Sequence, residues 1–133
     1  MPHFIVEYTS NLKKDAEISG LLKKGIEALT AEGYPLHGMR ARGVEIEEYL
    51  LADGKRDCVM VHAIIKIAPG HTASHKQRTC QVIFDVMKTH FADAFEGRYF
   101  MLSVEIVELE SGGGQPTLKY SNVKEAFGIE VKS

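Results

Sequence analysis

The chain opens on a strict alternation. Phe4, Val6 and Tyr8 fall on one side, and His3, Ile5 and Glu7 on the other. That period of two, rich in β-formers, predicts a strand. Pro2 stands at its head, a position where a residue without a backbone N–H is tolerated. Thr9 to Ile18 is polar and weakly periodic and reads as a loop. Leu21, Leu22, Ile26 and Leu29 then keep helical spacing. Ser19 is a candidate N-cap, with Asp15 as an earlier alternative. Gly25 weakens the helix interior, and Gly33 with Pro35 ends it. Gly38 to Ile46 predicts a second strand with Arg40, Arg42, Val44 and Ile46 on one face, running on to Leu51. Asp53-Gly54 predicts a tight hairpin turn. The chain returns through Cys58 to Ile67. Val59, Val61, Ala63, Ile65 and Ile67 make one wholly apolar face, and Met60, His62, Ile64 and Lys66 make the other. Such a strand belongs in the middle of a sheet.

Pro69-Gly70 breaks the third strand, and Ser74 with Gln77 reads as a capping box. Val82, Ile83, Val86, Met87, His90, Phe91, Ala94 and Phe95 form a strong amphipathic stripe that Gly97 stops. Phe100, Leu102, Val104 and Ile106 share one face of a fourth strand. Ser111 to Gly114 is a flexible break. A short extended piece follows around Leu118-Lys119-Tyr120, and Asn122 is placed to cap one helical turn through Phe127. The order is β-α-β, hairpin, β-α-β, tail. Residues 2–52 and 57–110 look like two fused copies of one unit, and 111–133 is a tail. The fold class is α+β: a four-stranded sheet with two helices on one face, each pair of strands parallel across its helix. The other face carries apolar positions too, which predicts an oligomer.

Composition narrows the picture. A chain of 133 residues suits one domain with one core. A formal net charge of −2 gives no global case for nucleic acid or an anionic membrane. No apolar run reaches the roughly 20 residues that span a bilayer. No charged-then-apolar leader opens the chain, so no signal peptide is expected. Cys58 and Cys80 form no C-x-x-C pair; they read as small buried hydrophobes in a reducing cytoplasm.

The first strand also carries chemistry. If Met1 is removed, the Pro2 nitrogen becomes a free secondary amine held on a rigid strand. An amine base works near neutral pH only when its affinity for protons is lowered, and an apolar pocket with nearby arginines does that. Guanidinium groups also bind carboxylates and stabilise an enolate. The set suits proton transfer beside a carbonyl in an anionic acid and needs neither metal nor cofactor. The plain readings are an edge-strand proline and solvated arginines with stems packed on the sheet.

Other groups read as structural. His71 and His75, four residues apart, lack a third metal ligand at a useful spacing. His3 and His62 are strand histidines, and His90 lies on the apolar stripe of the second helix. Glycines 112 to 114 have no strand–loop–helix context for a phosphate. The Lys13-Lys14 and Lys23-Lys24 pairs are solvated faces.

Four segments carry a resemblance: Pro2-His3-Phe4-Ile5-Val6-Glu7, Gly38-Met39-Arg40-Ala41-Arg42, the run from Ala52-Asp53-Gly54 to Lys66-Ile67, and Lys88-Thr89-His90-Phe91-Ala92. Together, over roughly residues 2 to 110, the chain resembles the 5-carboxymethyl-2-hydroxymuconate isomerase family of the tautomerase superfamily. The resemblance implies two βαβ units per chain and a homotrimer. It implies a cofactor-free tautomerase that turns a muconate dienol acid into its 2-oxo form in homoprotocatechuate degradation. Pro2 matches the catalytic proline and Arg40 the substrate-binding arginine, with Arg42 beside it. His71 stands after Pro69-Gly70 where the family places an arginine, so it is a substrate-binding position with weaker anion chemistry. The alternative from the same element order is a non-catalytic ferredoxin-like domain that binds a small ligand or partner.

Overall fold

The computed structural model describes residues 2–12, 16–109 and 118–128. The strands are β1 (His3–Thr9), β2 (Arg40–Ile46), β3 (Cys58–Ile67) and β4 (Tyr99–Glu108). The helices are α1 (Ile18–Ala31), α2 (Ala73–His90) and a single turn, α3 (Ala92–Phe95). Short 3₁₀ turns lie at Ser10–Leu12, Leu36–Gly38 and Val123–Phe127. The sheet order is β2-β1-β3-β4, with β1 parallel to β2, β3 parallel to β4 and β1 antiparallel to β3.

The alternation read from the sequence sets the two faces. Phe4, Val6, Val59, Val61, Ala63, Ile65 and Ile67 are fully buried, and they meet Leu21 and Leu29 of α1 and Ile83 and Met87 of α2. Phe91 closes the far end of this layer against Phe100, with ring centroids 5.7 Å apart. Gly25 lets α1 lie directly on the Phe4 ring: a Cβ there would meet three ring atoms. Among the described residues, the opposite face has no helix on it. Tyr99, Met101 and Val107 of β4 and Val44 of β2 are exposed there, while Ile5 in the middle is only 7% exposed.

The Asp53-Gly54 hairpin does not form. The turn itself is present: Gly54 has φ 72° and its N–H donates to the Leu51 carbonyl at 2.9 Å. The Lys55 N–H donates to Asp53 Oδ1 at 3.0 Å. Yet β2 and β3 pair with opposite edges of β1, so residues 47–57 pass across the end of β1. The reason is burial. β3 has five fully buried residues on its helix-side face and belongs at the centre, whereas β2, with Arg40, Arg42 and Glu45, is stable as an edge. Accordingly β2 stops at Ile46 and does not run on to Leu51.

Several boundaries also differ. The cap of α2 is Thr72, whose Oγ1 accepts the His75 N–H at 3.1 Å; Ser74 lies inside the first turn. The cap of α1 is Glu17, in a left-handed conformation at φ 38° and without a side-chain cap bond, and not Ser19. Asp15 lies outside the described residues. The second helix ends at His90, before Gly97, because Phe91 turns into the core and α3 follows. His90 is half-buried at the edge of the core, where its Nε2 donates to the Ala16 carbonyl at 2.9 Å. Leu118 and Tyr120 are exposed and in no strand, whereas Val123–Phe127 does form a turn and packs against Leu36–Gly38. Ser111 to Gly114 falls outside the described residues.

Candidate active site

Strand direction gathers one end of the sheet. β1 and β2 begin there, β3 ends there, α1 delivers its C-terminus and α2 its N-terminus. Pro2 is buried at this end. Its carbonyl accepts the Arg40 N–H at 3.0 Å, which extends the parallel ladder one residue beyond β1. Continuing the strand alternation back by one residue puts the Pro2 ring on the helix side with Phe4.

The helix-free side of the same end is cationic. His3 is in register with Arg40 on one neighbour and Lys66 on the other, so the three share one row. Arg42 sits two residues further along, in register with Ile5. The half-buried Arg40 turns its guanidinium back, with Nη1 donating to the Gly38 carbonyl at 3.1 Å. Arg42 Nη1 donates to His3 Nδ1 at 3.2 Å. A guanidinium only donates, so His3 Nδ1 must be the acceptor and the ring is neutral, with its hydrogen on Nε2. The electrostatics agree. Burial, and then Arg42, Arg40 and Lys66, hold the His3 pKa below its ordinary 6.5. In a chain of net charge −2, this row concentrates positive charge where an anion can use it.

The helix side carries three rings. Tyr34, just past α1, packs on His71 and His75 with centroids 5.0 and 5.2 Å away. The Tyr34 hydroxyl lies 2.9 Å from Thr79 Oγ1, and that hydroxyl donates to the His75 carbonyl at 2.9 Å. Thr79 has one hydrogen, already committed, so Tyr34 is the donor. His71 and His75 do not share a helical face, because His71 precedes the Thr72 cap. Their Nδ1 atoms face each other at 3.1 Å, and His75 Nε2 donates to the Glu32 carbonyl at 2.9 Å.

Of the four residues singled out from the sequence, Pro2 and Arg40 are joined by a backbone bond, Arg42 is tied to the site through His3, and His71 lies on the helix side of the same end. The sequence reads His3 as a strand histidine and His75, with His71, as a metal pair lacking a third ligand; Lys66 and Tyr34 carry no site reading at all. For Lys66 a signal existed: it is the one charged side chain on a strand otherwise made of apolar residues and His62. Neither cysteine joins the site. Both are free thiols, Cys58 buried and Cys80 with its thiol pKa raised by burial, so neither is a ready nucleophile.

Comparison with known proteins gives a consistent result. The model of the family described as 5-carboxymethyl-2-hydroxymuconate isomerase matches residues 2–127. The chain is 39% identical over 130 residues to the 5-carboxymethyl-2-hydroxymuconate Delta-isomerase of Escherichia coli, covering 96% of this chain and 99% of that one. The crystal structure of a 5-carboxymethyl-2-hydroxymuconate isomerase from Deinococcus radiodurans R1 superposes with a TM-score of 0.85 at 36% identity, covering 95% of this chain and 93% of that one. A fused 4-OT wild-type symmetric trimer shares the fold at a TM-score of 0.61 and 15% identity, over 85% of this chain and 94% of that one. A family match that runs from the proline heading β1 to the Val123–Phe127 turn, with relatives this similar along nearly their whole length, makes this chain a member of the 5-carboxymethyl-2-hydroxymuconate isomerase family.

Proposed function

We propose that this chain, an isomerase by family, converts a 2-hydroxymuconate-type dienol acid to its 2-oxo tautomer with Pro2 as the proton carrier. Removal of Met1 exposes the secondary amine of Pro2. Burial and the neighbouring cations both disfavour its protonated form, so it is a base near neutral pH. The amine takes the proton of the substrate's 2-hydroxyl. The electron pair left on oxygen moves through the conjugated chain, and the same proline returns the proton to a distant carbon. One O–H bond breaks, one C–H bond forms, and the amine is regenerated. No oxidant, reductant or cofactor enters the balance.

The cations have separate tasks in this reading. Arg40, half-buried in the row beside Pro2, stabilises the oxygen as it becomes anionic. Arg42 and His71 hold carboxylates from the two sides of the sheet end. A homotrimer would cover the helix-free face, a proposal supported by the exposed Tyr99, Met101 and Val107 and by the trimer formed by the fused 4-OT. The two free thiols favour the cytoplasm.

The observation that carries the reading is a buried proline at the strand head, bonded to Arg40 and flanked by the Arg40–His3–Lys66 row, in a chain of this family. The test is ketonisation of 2-hydroxymuconate followed by ultraviolet absorbance, on protein shown by mass spectrometry to begin at Pro2. Pro2→Ala should lower kcat by about 10²- to 10⁴-fold with the circular dichroism spectrum unchanged. Unaltered turnover in that variant rules the proline out.

A further inference from the structure

We infer that His75 is a positioning residue that fixes the tautomer of His71 and so decides which ring nitrogen of His71 meets the substrate. The inference rests on the assignment of His71 to substrate binding made above, but its structural core does not. The chain of hydrogen bonds has only one consistent direction while both rings are neutral. The Glu32 carbonyl can only accept, so His75 Nε2, 2.9 Å away, carries the hydrogen. A neutral His75 then has a lone pair on Nδ1. His71 Nδ1, 3.1 Å from it, must supply the hydrogen of that contact. His71 is thereby locked in its Nδ1–H form, and Nε2 is its free end; no described residue hydrogen-bonds to it.

A carbonyl–His–His relay of this kind does for an imidazole what a fixed guanidinium does without help. It orients the ring and leaves one nitrogen for the ligand. A proton taken up by the pair enters at His71 Nε2, the one ring nitrogen of the two with neither a hydrogen nor a donor facing it. An arriving carboxylate can accept that hydrogen in a charge-assisted bond. Tyr34 holds the relay from below, stacked on His75 with an interplanar angle of 17°. Two ion pairs flank the relay: Glu32 with Arg78 at 2.8 Å, and Lys76 of α2 with Glu108 of β4 at 2.6 Å. On the helix side of this end, His71 Nε2 is the ring nitrogen turned to a ligand, while Arg40 and Lys66 lie on the other face.

The test uses the whole chain, with nitrogen-15 spectra of the imidazoles and steady-state kinetics on a muconate dienol acid. The wild type should show His71 as the Nδ1–H tautomer and His75 as Nε2–H at mildly alkaline pH. His75→Phe keeps a ring on Tyr34 but removes both hydrogen bonds. It should release His71 to the other tautomer, raise KM about tenfold with kcat little changed, and flatten the pH dependence of KM. His75→Gln supplies one donor and one acceptor and should recover much of the loss. It also answers if the phenylalanine variant fails to fold. Wild-type His71 found as Nε2–H, or His75→Phe with tautomer and KM both unchanged, overturns the inference. The spectra need no turnover. Reversed tautomers in an active enzyme refute the relay alone, and correct tautomers in a protein that lacks isomerase activity refute the functional reading alone.

Discussion

Gly25→Ala puts the seating of β1 to a quantitative test. Helix propensity alone favours the change, by about 1 kcal/mol for a glycine in a helix interior. The packing opposes it. A Cβ at position 25 would lie 2.7 Å from Phe4 Cδ2 and 2.9 Å from Cζ, with Cε2 closer still. Those distances are inside van der Waals contact, so the ring or the helix must move. Phe4 is fully buried between the sheet and α1, and its ring has no free volume to enter. Overpacking of such a site costs about 1–3 kcal/mol, and with three ring atoms involved the upper half of that range applies. The net expectation is destabilisation by about 1–2 kcal/mol after the propensity gain is subtracted. In urea unfolding followed by circular dichroism, at matched protein concentration, the midpoint should fall by roughly 0.5–1 M with the slope unchanged. Phe4→Leu in the Gly25→Ala background should recover part of the loss, because the shorter side chain vacates the contested space. The displacement also reaches the site, since Phe4 is two residues from Pro2, and kcat should fall with stability. A variant as stable as the parent, or more so, refutes this account of the α1–β1 contact.

Three further outcomes are expected. Arg40→Ala should reduce kcat/KM by about 10²- to 10³-fold while the fold persists, and a neutral effect would return Arg40 to the surface. His3 should titrate below 6.5 in a proton NMR titration, and Arg42→Ala should move it back up. Its folded pKa is depressed, so the unfolded chain takes the proton first; the His3 contribution to stability is complete above 6.5 and is lost as pH falls from there toward the folded value. Tyr34→Phe removes the donor to the buried Thr79 hydroxyl and should cost about 1 kcal/mol in urea unfolding; no change would show that the Thr79 oxygen finds another donor.

How far the site was legible follows from where its parts lie along the chain. Pro2 could be read because its chemistry comes from being at the head of a strand. Arg40 and Arg42 could be read because alternation places them on one face. Lys66 is 63 residues from His3, and Thr79 is 45 from Tyr34; nothing local joins them, and register and helix packing decide that they meet. The His71–His75 pair looked like two residues on one helical turn. The cap at Thr72 leaves one outside the helix and one inside, which turns their Nδ1 atoms toward each other.

The sequence by itself determined the elements, because the periods of 2 and 3.6 are written in neighbouring residues: β1, β3 and β4 by alternation, α1 and α2 by stripe. It also put a proline at the head of β1 and two arginines on one face of β2. Only the tertiary structure decided how the two halves join, β3 pairing with β1 and not with β2. Asp53-Gly54 announces a hairpin between β2 and β3, but the two strands pair with opposite edges of β1: β3, which buries most apolar surface, takes the central place between β1 and β4, and β2 is left as the outer edge. Gly25 shows the same division. Locally it is a weak helix residue; in the folded chain it is the gap that the Phe4 ring fills.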